Sequence, residues 1–284
     1  AEMKAAGCEY AVMEVSSHGL AQRRVEGCRF AVGVFTNLTQ DHLDYHGDME
    51  HYYAAKRHLF DQCDAAVVNL DDTYGARLAE EMPCPIKTFS IRRDAADYTA
   101  KSVQLRADGS SFAFVGNGMI ARVKTRFPGE FSVSNAMAAI GACLALGCPL
   151  EPTAVLLESA QGVPGRFEVL ERKNPCVIIR DYAHTPDAIE KVLSALRTVV
   201  KGRVVILFGC AGNRDRKKRQ IMAETAARLA DFVILTSDNP RRESPLQIIE
   251  DATPGLLKHK TPHIIIPDRY EAIQWALAHA KQED

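Results

Sequence analysis

The second half of this 284-residue chain alternates regularly between short apolar segments and longer amphipathic ones. The strand-like segments are residues 176–181, 203–208, 232–236 and 263–266, and the helix-like segments are residues 186–200, 217–230, 246–257 and 270–281. Strands and helices that alternate in this way form a parallel sheet with right-handed crossovers. The pattern predicts a doubly wound, Rossmann-like α/β domain over residues 166–284, with its third helix interrupted at Pro254 and Gly255.

The first half has a different pattern. Buried parallel strands are predicted for the apolar runs at residues 10–15, 30–35 and 65–70. Residues 97–126 are rich in β-forming side chains and are punctuated by Asp-Gly and Asn-Gly pairs, which are hairpin signals. We therefore expect an α/β domain over residues 1–165, with a mostly parallel sheet and a small antiparallel meander. The Gly-Val-Pro-Gly stretch that ends at Gly165 is the predicted linker.

Composition narrows the function classes. The 35 basic and 36 acidic residues nearly cancel, which argues against a dedicated binder of nucleic acid or anionic membranes. No apolar stretch approaches the ~18 residues that a membrane span needs. The eight cysteines are isolated, as expected for reduced thiols in the cytoplasm. The chain contains no G-x-x-x-x-G-K-[ST] phosphate loop, so we expect it to lack nucleotide-driven activity as it stands.

Histidines are concentrated near the start of the chain. Five of the nine lie between residues 18 and 58, and Glu14 interrupts an apolar run in the same region. A buried glutamate is unfavourable unless it is paired or ligates a cation, so Glu14 and His42 are candidate ligands of a divalent metal. The alternative is a structural ion pair for Glu14 and solvated histidines in a loop.

Polar motifs follow several predicted strands. Residues 16–24 carry hydroxyl, amide and guanidinium donors that suit a sugar nucleotide. In the second half, DYAHTP at 181–186, a glycine-bearing basic loop at 209–219 and DNPR at 238–241 each end a strand. Each can be a turn or a helix cap, but the carboxyl ends of parallel strands meet at one sheet edge, which favours a shared site.

These motifs, together with EVSSHGL at 14–20, TNLTQDHLDYHG at 36–47 and YAAK at 53–56, resemble the Mur ligases, and in particular the type that adds diaminopimelate. The resemblance covers essentially the whole chain. It implies a cytoplasmic enzyme of peptidoglycan and cell-wall synthesis that uses ATP and Mg²⁺. ATP would phosphorylate the D-Glu carboxylate of UDP-MurNAc-L-Ala-D-Glu, and the amine of meso-diaminopimelate would attack the acyl phosphate. The implied partners are these small molecules, with no nucleic acid and no membrane.

The resemblance also implies roles for individual residues. The metal set would be Glu14, His42 and a carbamylated Lys56, and His42 and Lys56 would be catalytic. The predicted UDP-MurNAc contacts are Ser16, Gln22 and Arg24. The predicted ATP contacts are Asn135, Arg166, Asp181 and His184. The predicted diaminopimelate contacts are Arg214, Asp238, Asn239, Pro240 and Arg241.

Charge supports diaminopimelate rather than lysine as the amino acid, because Arg241 would attract a second carboxylate and repel an ammonium group. Two departures from the family pattern, Ala211 and Asn213, lie in the neighbouring loop. We expect the chain to be a fragment, with the phosphate loop and a UDP-binding domain before it and part of the amino-acid pocket after it. The alternatives are a metal-dependent hydrolase built on Glu14, His42 and His46, or a nucleotide-binding domain without catalytic activity.

Overall fold

A six-stranded sheet forms the first half of the chain, and its strands lie side by side in sequence order. They are β1 (Phe30–Phe35), β2 (Cys63–Asn69), β3 (Ile86–Ser90), β4 (Tyr98–Arg106), β5 (Gly109–Gly116) and β6 (Met119–Thr125). The first four strands pair in parallel, and β4, β5 and β6 form an antiparallel meander. The computed structural model describes residues 2–82, 84–106, 108–170, 176–281 and 284. The predicted parallel sheet with a small meander is confirmed.

Helices cover both faces of this sheet. They are α1 (Glu2–Ala5), α2 (Ser17–Ala21), α3 (Leu43–His46), α4 (Met49–Arg57), α5 (Thr73–Glu81), α6 (Glu130–Ala145) and α7 (Leu150–Ser159), with a 3₁₀ turn at Phe60–Gln62. On one face Met137 of α6 packs with Val67 and Phe114. On the other face Tyr53 of α4 and Leu78 of α5 pack against the alternate residues of β2. This arrangement places α2, α3 and α4 beside the carboxyl end of β1.

The strand predicted at residues 10–15 is wrong for this structure. These residues have no strand pairing, and Tyr10 and Val12 are 71% and 102% exposed. A strand needs a hydrogen-bonding neighbour, and within the described residues β1 pairs only with β2 and lies at the edge of the sheet. Glu14 is consequently exposed in an extended segment and is not buried inside a sheet.

The second half contains a parallel sheet of three strands in the order β11, β10, β9. The strands are β9 (Val205–Phe208), β10 (Phe232–Leu235) and β11 (His263–Ile265), and the helices are α8 (Pro186–Val199), α9 (Lys217–Leu229), α10 (Pro245–Leu256) and α11 (Arg269–Ala278). Val233 and Leu235 face the core that α8, α9 and α10 share. Phe232 points the other way and stacks on Trp275 of α11 at 5.6 Å. Helices therefore lie on both faces, as the Rossmann-like prediction requires.

Two predicted details of this half differ from the structure. The segment 176–181 contributes only β8 (Ile179–Arg180), which pairs antiparallel with β7 (Glu168–Val169) and does not join the parallel sheet. An ion pair of 2.7 Å between Arg180 and Glu168 reinforces that pairing. The helix predicted to break at Pro254 instead runs through it. Pro254 lies in the last turn, where the loss of one backbone donor has little effect on the rest of the helix.

No helix within the described part of the chain has the length and apolar character needed to cross a bilayer.

Candidate functional site

Three histidines meet where the segment after β1 turns into α3. His42 has a left-handed backbone (φ 56°), and its amide donates to Asp41 Oδ1 at 2.9 Å. The ring of His18, from α2, packs edge-on against the His42 ring at 4.7 Å. His46 stacks on Tyr52 at 5.0 Å, and its Nε2 lies 2.9 Å from Ser17 Oγ. The histidine-rich pattern in the sequence thus corresponds to one aromatic cluster.

Burial affects the pKa of two of these histidines. It lowers the pKa of His42, although the charge of Asp41 opposes the effect. It also lowers the pKa of His46. The Nδ1 atom of His42 is buried and has no hydrogen-bond partner among the described residues. A neutral imidazole with an unpartnered ring nitrogen has the chemistry of a metal ligand.

Asp41 joins this cluster to the second half of the chain. Its Oδ2 lies 3.2 Å from His184 Nε2, and its Oδ1 accepts a hydrogen bond of 3.1 Å from Lys218 Nζ. Burial opposes ionisation of Asp41, but the hydrogen bond to His184 and the charge of Lys218 outweigh it and hold the pKa of this carboxyl well below its usual range. The segment that carries His42 is therefore anchored to loops at the strand ends of the second half.

Two further polar contacts join residues 40–44 to the second half of the chain. Gln40 Nε2 donates to Asp215 Oδ2 at 3.1 Å, and Arg214 Nη1 lies 4.0 Å from Asp44 Oδ2. Arg214, predicted from the sequence for the amino-acid pocket, therefore faces the histidine-rich segment. Two of the three polar motifs of the second half thus contact the segment that carries His42.

Lys56 lies near this cluster, on α4. Burial lowers its pKa, while the charges of Glu14 and Asp41 act in the opposite direction. Its Nζ is 5.8 Å from the centre of the Tyr52 ring. Glu14 itself is exposed, and the described residues include no group of three or more His, Cys, Asp or Glu side chains arranged to hold a metal ion. Among the described residues, His42 contacts Asp41, His18 and Tyr52, and no hydrogen bond or ion pair joins it to Glu14, so their pairing as metal ligands stays a prediction.

The predicted sugar-nucleotide contacts share one surface loop. Ser16 Oγ accepts a hydrogen bond of 3.0 Å from the Gly19 amide and thereby caps α2. Arg24 Nη2 donates to Gln22 Oε1 at 2.5 Å, and both side chains are exposed. Ser16 therefore has a structural role already, while Gln22 and Arg24 are free to meet a ligand.

The predicted ATP contacts divide into two places. Asp181 accepts hydrogen bonds of 2.7 Å from the amides of Phe167 and Ala183, so one oxygen holds the backbone just after Gly165 and the other holds the turn that follows Asp181 itself. Arg166 lies 4.9 Å over the Tyr182 ring in the same corner. Asn135 is exposed on α6, one turn beyond Phe131, whose ring is 5.7 Å from that of Phe167. His184 is the exception, since it contacts Asp41 instead.

The predicted amino-acid contacts lie on two interlocked loops. Arg241 Nη1 donates to the carbonyl oxygens of Gly212 and Asn213 at 3.2 and 3.3 Å. The Gly212 amide donates to the carbonyl of Asn239 at 2.9 Å. A side chain at Gly212 would lie 1.9 Å from the Pro240 carbonyl oxygen, so only glycine permits this approach. Asp238 is exposed and caps the amide of Asn239 at 2.8 Å.

Sequence reasoning missed the roles of Lys218 and Arg219, which it placed only in a glycine-bearing basic loop at residues 209–219. Both are buried and paired with carboxylates: Lys218 with Asp41, and Arg219 with Glu243 and Asp251. A signal was present, because cations are unfavourable in the first turn of a helix and α9 begins at Lys217. Three basic residues there indicate that carboxylates lie nearby.

Both halves of the chain match domain models of one family of amide-forming enzymes. Residues 1–143 match the Mur ligase middle domain, and residues 165–284 match the Mur ligase, glutamate ligase domain. The chain therefore belongs to the Mur ligase family.

The similar curated proteins carry the name of one type of Mur ligase. The chain is 44% identical over 287 aligned positions to the UDP-N-acetylmuramoyl-L-alanyl-D-glutamate--2,6-diaminopimelate ligase of Geobacillus kaustophilus, covering 98% of this chain and 58% of that protein. It is 46% identical to the ligase of the same name from Gloeobacter violaceus, covering 100% of this chain and 58% of that protein. The chain thus spans a little over half the length of these relatives.

Solved structures agree with this grouping. A structure of a UDP-N-acetylmuramoyl-L-alanyl-D-glutamate--2,6-diaminopimelate ligase matches with a TM-score of 0.63 and 37% identity, over 99% of this chain and 58% of that one. The MurF ligase of Thermotoga maritima, solved in complex with ADP, matches with a TM-score of 0.72 and 21% identity, over 95% of this chain and 60% of that one. The second match supports the fold alone.

Proposed function

We propose that this chain serves the ATP-dependent addition of meso-diaminopimelate to UDP-MurNAc-L-Ala-D-Glu, a cytoplasmic step of peptidoglycan synthesis. The observation that carries the proposal is the identity of 44% to a diaminopimelate ligase along 98% of the chain. The exposed DNPR loop, with Arg241 held against the 212–213 backbone, is the structural feature that fits this amino acid. The chain would supply two domains of the enzyme, divided near Gly165.

The reaction needs an activated carboxylate, because an ionised carboxylate is a poor electrophile. ATP would transfer its terminal phosphoryl group to the D-Glu carboxylate, which forms an acyl phosphate and releases ADP. The amine of diaminopimelate would then displace phosphate and lose a proton to form the amide. When bound, Mg²⁺ supplies charge neutralisation for the phosphates during transfer. His42 suits a metal-ligand role because its buried Nδ1 has no partner among the described residues. Glu14 and Lys56 are the other proposed ligands.

Lys56 suits a modified role in the same site. Burial lowers its pKa, which increases the fraction of neutral amine. A neutral amine can add CO₂ to form a carbamate, and that reaction turns a cation into an anion able to approach a metal. We therefore propose that Lys56 is carbamylated and catalytic.

We propose three sets of substrate contacts. Ser16, Gln22 and Arg24 are proposed to contact UDP-MurNAc. Asn135, Arg166, Asp181 and His184 are proposed to surround the adenosine end of ATP, with Asp181 acting through the backbone of Phe167 and Ala183, whose amides it binds. Arg214 and residues 238–241 are proposed to bind diaminopimelate.

Arg241 is proposed to set amino-acid specificity. One side of its guanidinium, Nη1, donates to two backbone carbonyls, and no hydrogen bond within the described residues involves Nε or Nη2. That free edge matches the two oxygens of a carboxylate. Diaminopimelate carries a carboxylate at the end where lysine carries only an ammonium group, so the same edge would bind the first and repel the second.

The proposal is tested by calorimetric titration of the 284-residue chain with meso-diaminopimelate and with L-lysine. We expect diaminopimelate to bind more tightly than lysine, because the free edge of the Arg241 guanidinium lies within this chain. Arg241→Ala should weaken diaminopimelate binding about 30-fold, since truncating one partner of a charge pair costs ~2 kcal/mol or more. Arg242→Ala is the matched control, because Arg242 is exposed and its side chain has no hydrogen-bond partner among the described residues. Equal binding of both amino acids, or equal effects of the two variants, would contradict the proposal.

The hydrolase alternative is not proposed. It requires His46 to act with Glu14 and His42, but His46 instead contacts Ser17 and stacks on Tyr52. The relatives that match this chain along its length are named as ligases, which also disfavours a purely nucleotide-binding role.

A further inference from the structure

The segment at residues 40–44 meets the second half of the chain through polar groups. In one of these contacts, Oδ1 of Asp41 accepts a hydrogen bond of 3.1 Å from Lys218 Nζ. The side chains of Lys218 and Asp41 are only 7% and 14% exposed. An ion pair so far removed from water is held in one geometry, because either charge alone would be strongly unfavourable there.

The same carboxylate fixes His42. Asp41 Oδ1 also accepts the hydrogen bond from the His42 amide at 2.9 Å, and Oδ2 lies 3.4 Å from His42 Nε2. His42 needs this support because its left-handed backbone, at φ 56°, is uncommon for a residue other than glycine. One oxygen of Asp41 therefore binds both the backbone of His42 and the ammonium of Lys218.

We propose that Lys218 is a positioning residue for His42. Lys218 orients the Asp41 carboxylate, and that carboxylate sets both the backbone and the ring of His42. The backbone and ring positions of His42, in the first half of the chain, therefore depend on Lys218, which belongs to the second half. The inference rests on the proposed function only for the statement that His42 binds metal. The positioning can be measured without any metal.

The neighbouring residue provides a matched control. Lys217 is exposed, and its side chain makes no ion pair or hydrogen bond among the described residues. It has the same charge and stands on the same turn of α9. A change seen with Lys218→Met but not with Lys217→Met therefore reports the contact with Asp41 and not the loss of a positive charge.

Hydrogen exchange followed by mass spectrometry on the 284-residue chain tests the positioning. In Lys218→Met, amides of residues 41–47 should exchange at least about tenfold faster, the factor that corresponds to losing a charged hydrogen bond of ~1.4 kcal/mol. Lys217→Met should match the wild type, and Lys218→Arg should restore most of the protection. Amides of β2 should not change.

Other results would overturn the inference. Unchanged exchange at residues 41–47 in Lys218→Met would do so, and so would an equal rise with Lys217→Met. A rise of the same size in β2 would show that Lys218 only stabilises the fold. If Lys218→Met does not fold, Asp41→Asn replaces it, and the same criteria apply to residues 42–47.

Manganese binding, followed by electron paramagnetic resonance, separates this inference from the proposed function. We expect Lys218→Met to bind Mn²⁺ more weakly than the wild type and than Lys217→Met. If the wild type binds no Mn²⁺ but the exchange results are as expected, the metal role of His42 fails and the positioning stands. If Mn²⁺ binds equally to all three proteins and exchange is unchanged, the positioning fails.

Discussion

Arg219 has one of the largest fully buried side chains among the described residues. Its hydrogen bonds and ion pairs explain why a buried cation is tolerated there. Its Nη1 and Nη2 atoms donate to both carboxylate oxygens of Glu243, to Asp251 and to the carbonyl of Ala211. These bonds hold the pKa of Glu243 down to about 2. Glu243 also accepts a hydrogen bond from the Asn213 amide. The buried arginine thus fastens together the two loops that carry the proposed amino-acid contacts.

Removing this guanidinium should be costly. Arg219→Met leaves Glu243 and Asp251 without their main buried partner, so we expect the free energy of unfolding to fall by ~3–5 kcal/mol in urea titrations. Arg216→Met is the control, because Arg216 also pairs with Asp251 but its side chain is 61% exposed. An exposed pair contributes up to about 1 kcal/mol. Similar losses for the two variants would refute this account of Arg219.

His184 should make stability depend on pH. The hydrogen bond to Asp41 raises the pKa of His184 above its ordinary value of 6.5, against the effect of burial. Because the folded pKa exceeds the unfolded one, the contribution of protonated His184 is complete below pH 6.5 and is lost as the pH rises through the folded value.

The measurement is the difference in free energy of unfolding between wild type and His184→Gln. We expect the advantage of the wild type in the free energy of unfolding to decrease as the pH rises from about 6 through the raised pKa of His184. Taking the difference removes the contributions of His42 and His46, whose lowered pKa values act in the opposite direction. A difference that is constant across this range would show that His184 does not gain its proton affinity from Asp41.

At the scale of single elements, α9 and α10 pack unusually closely at Gly255. A methyl group there would lie 2.1 Å from the Gln220 carbonyl oxygen and 2.8 Å from the Glu224 nitrogen. This contact accounts for a glycine in the last turn of α10, where alanine has the higher helix propensity. The sequence pattern suggested a break at the same place, but the glycine serves packing between helices.

Gly255→Ala tests this contact. Because backbone atoms must move to admit the methyl group, we expect the free energy of unfolding to fall by ~1–3 kcal/mol despite the gain in helix propensity. Gln247→Ala, on the exposed side of the same helix, should change it by less than ~0.5 kcal/mol. Chemical denaturation followed by circular dichroism gives both values. An increase in stability for Gly255→Ala would mean that the two helices can separate without cost.

Particular elements show what the sequence could predict. The apolar run of β10 was identified because its four residues are bounded by polar ones, and it is paired on both sides. Residues 10–15 have the same pattern but remain exposed, because strand formation depends on a neighbour that the local sequence does not specify. The meeting of Asp41 with Lys218 was equally hidden, since 177 positions separate them and tertiary structure alone brings them together.

The same limit applies to the site as a whole. Two of the strand-end motifs, the 209–219 loop and residues 238–241, contact each other, because β9 and β10 are parallel neighbours that end at a common edge. The third motif, at residues 181–186, follows β8, which lies outside this sheet. The motifs could not predict that both oxygens of Asp181 bind backbone amides, since an aspartate after a strand suits a ligand contact and a turn equally well.

At the scale of the molecule, the segment before α2 exposes apolar side chains, and the first sheet has an open edge at β1. Tyr10, Val12 and Met13 are 71%, 102% and 52% exposed, and β1 is an edge strand within the described residues. Exposed apolar segments and open strand edges promote association between chains. We therefore expect self-association of this chain to increase with concentration.

Val12→Lys should reduce that association, measured by light scattering across a concentration series. Leu257→Lys is the control, because Leu257 is also exposed, at 66%, but lies after α10 in the other half. Equal scattering by the two variants would show that residues 10–13 are not the surface responsible.

The strand order of the first sheet has a consequence for how the chain acquires its fold during synthesis. Each strand after β1 pairs with the strand that precedes it in the sequence. A newly made strand therefore finds its neighbour already present, and no strand must wait for a distant segment. Contacts that are local in sequence close with a small entropy cost and form quickly. This half can assemble progressively as it leaves the ribosome, before the residues that carry Lys218 have been translated.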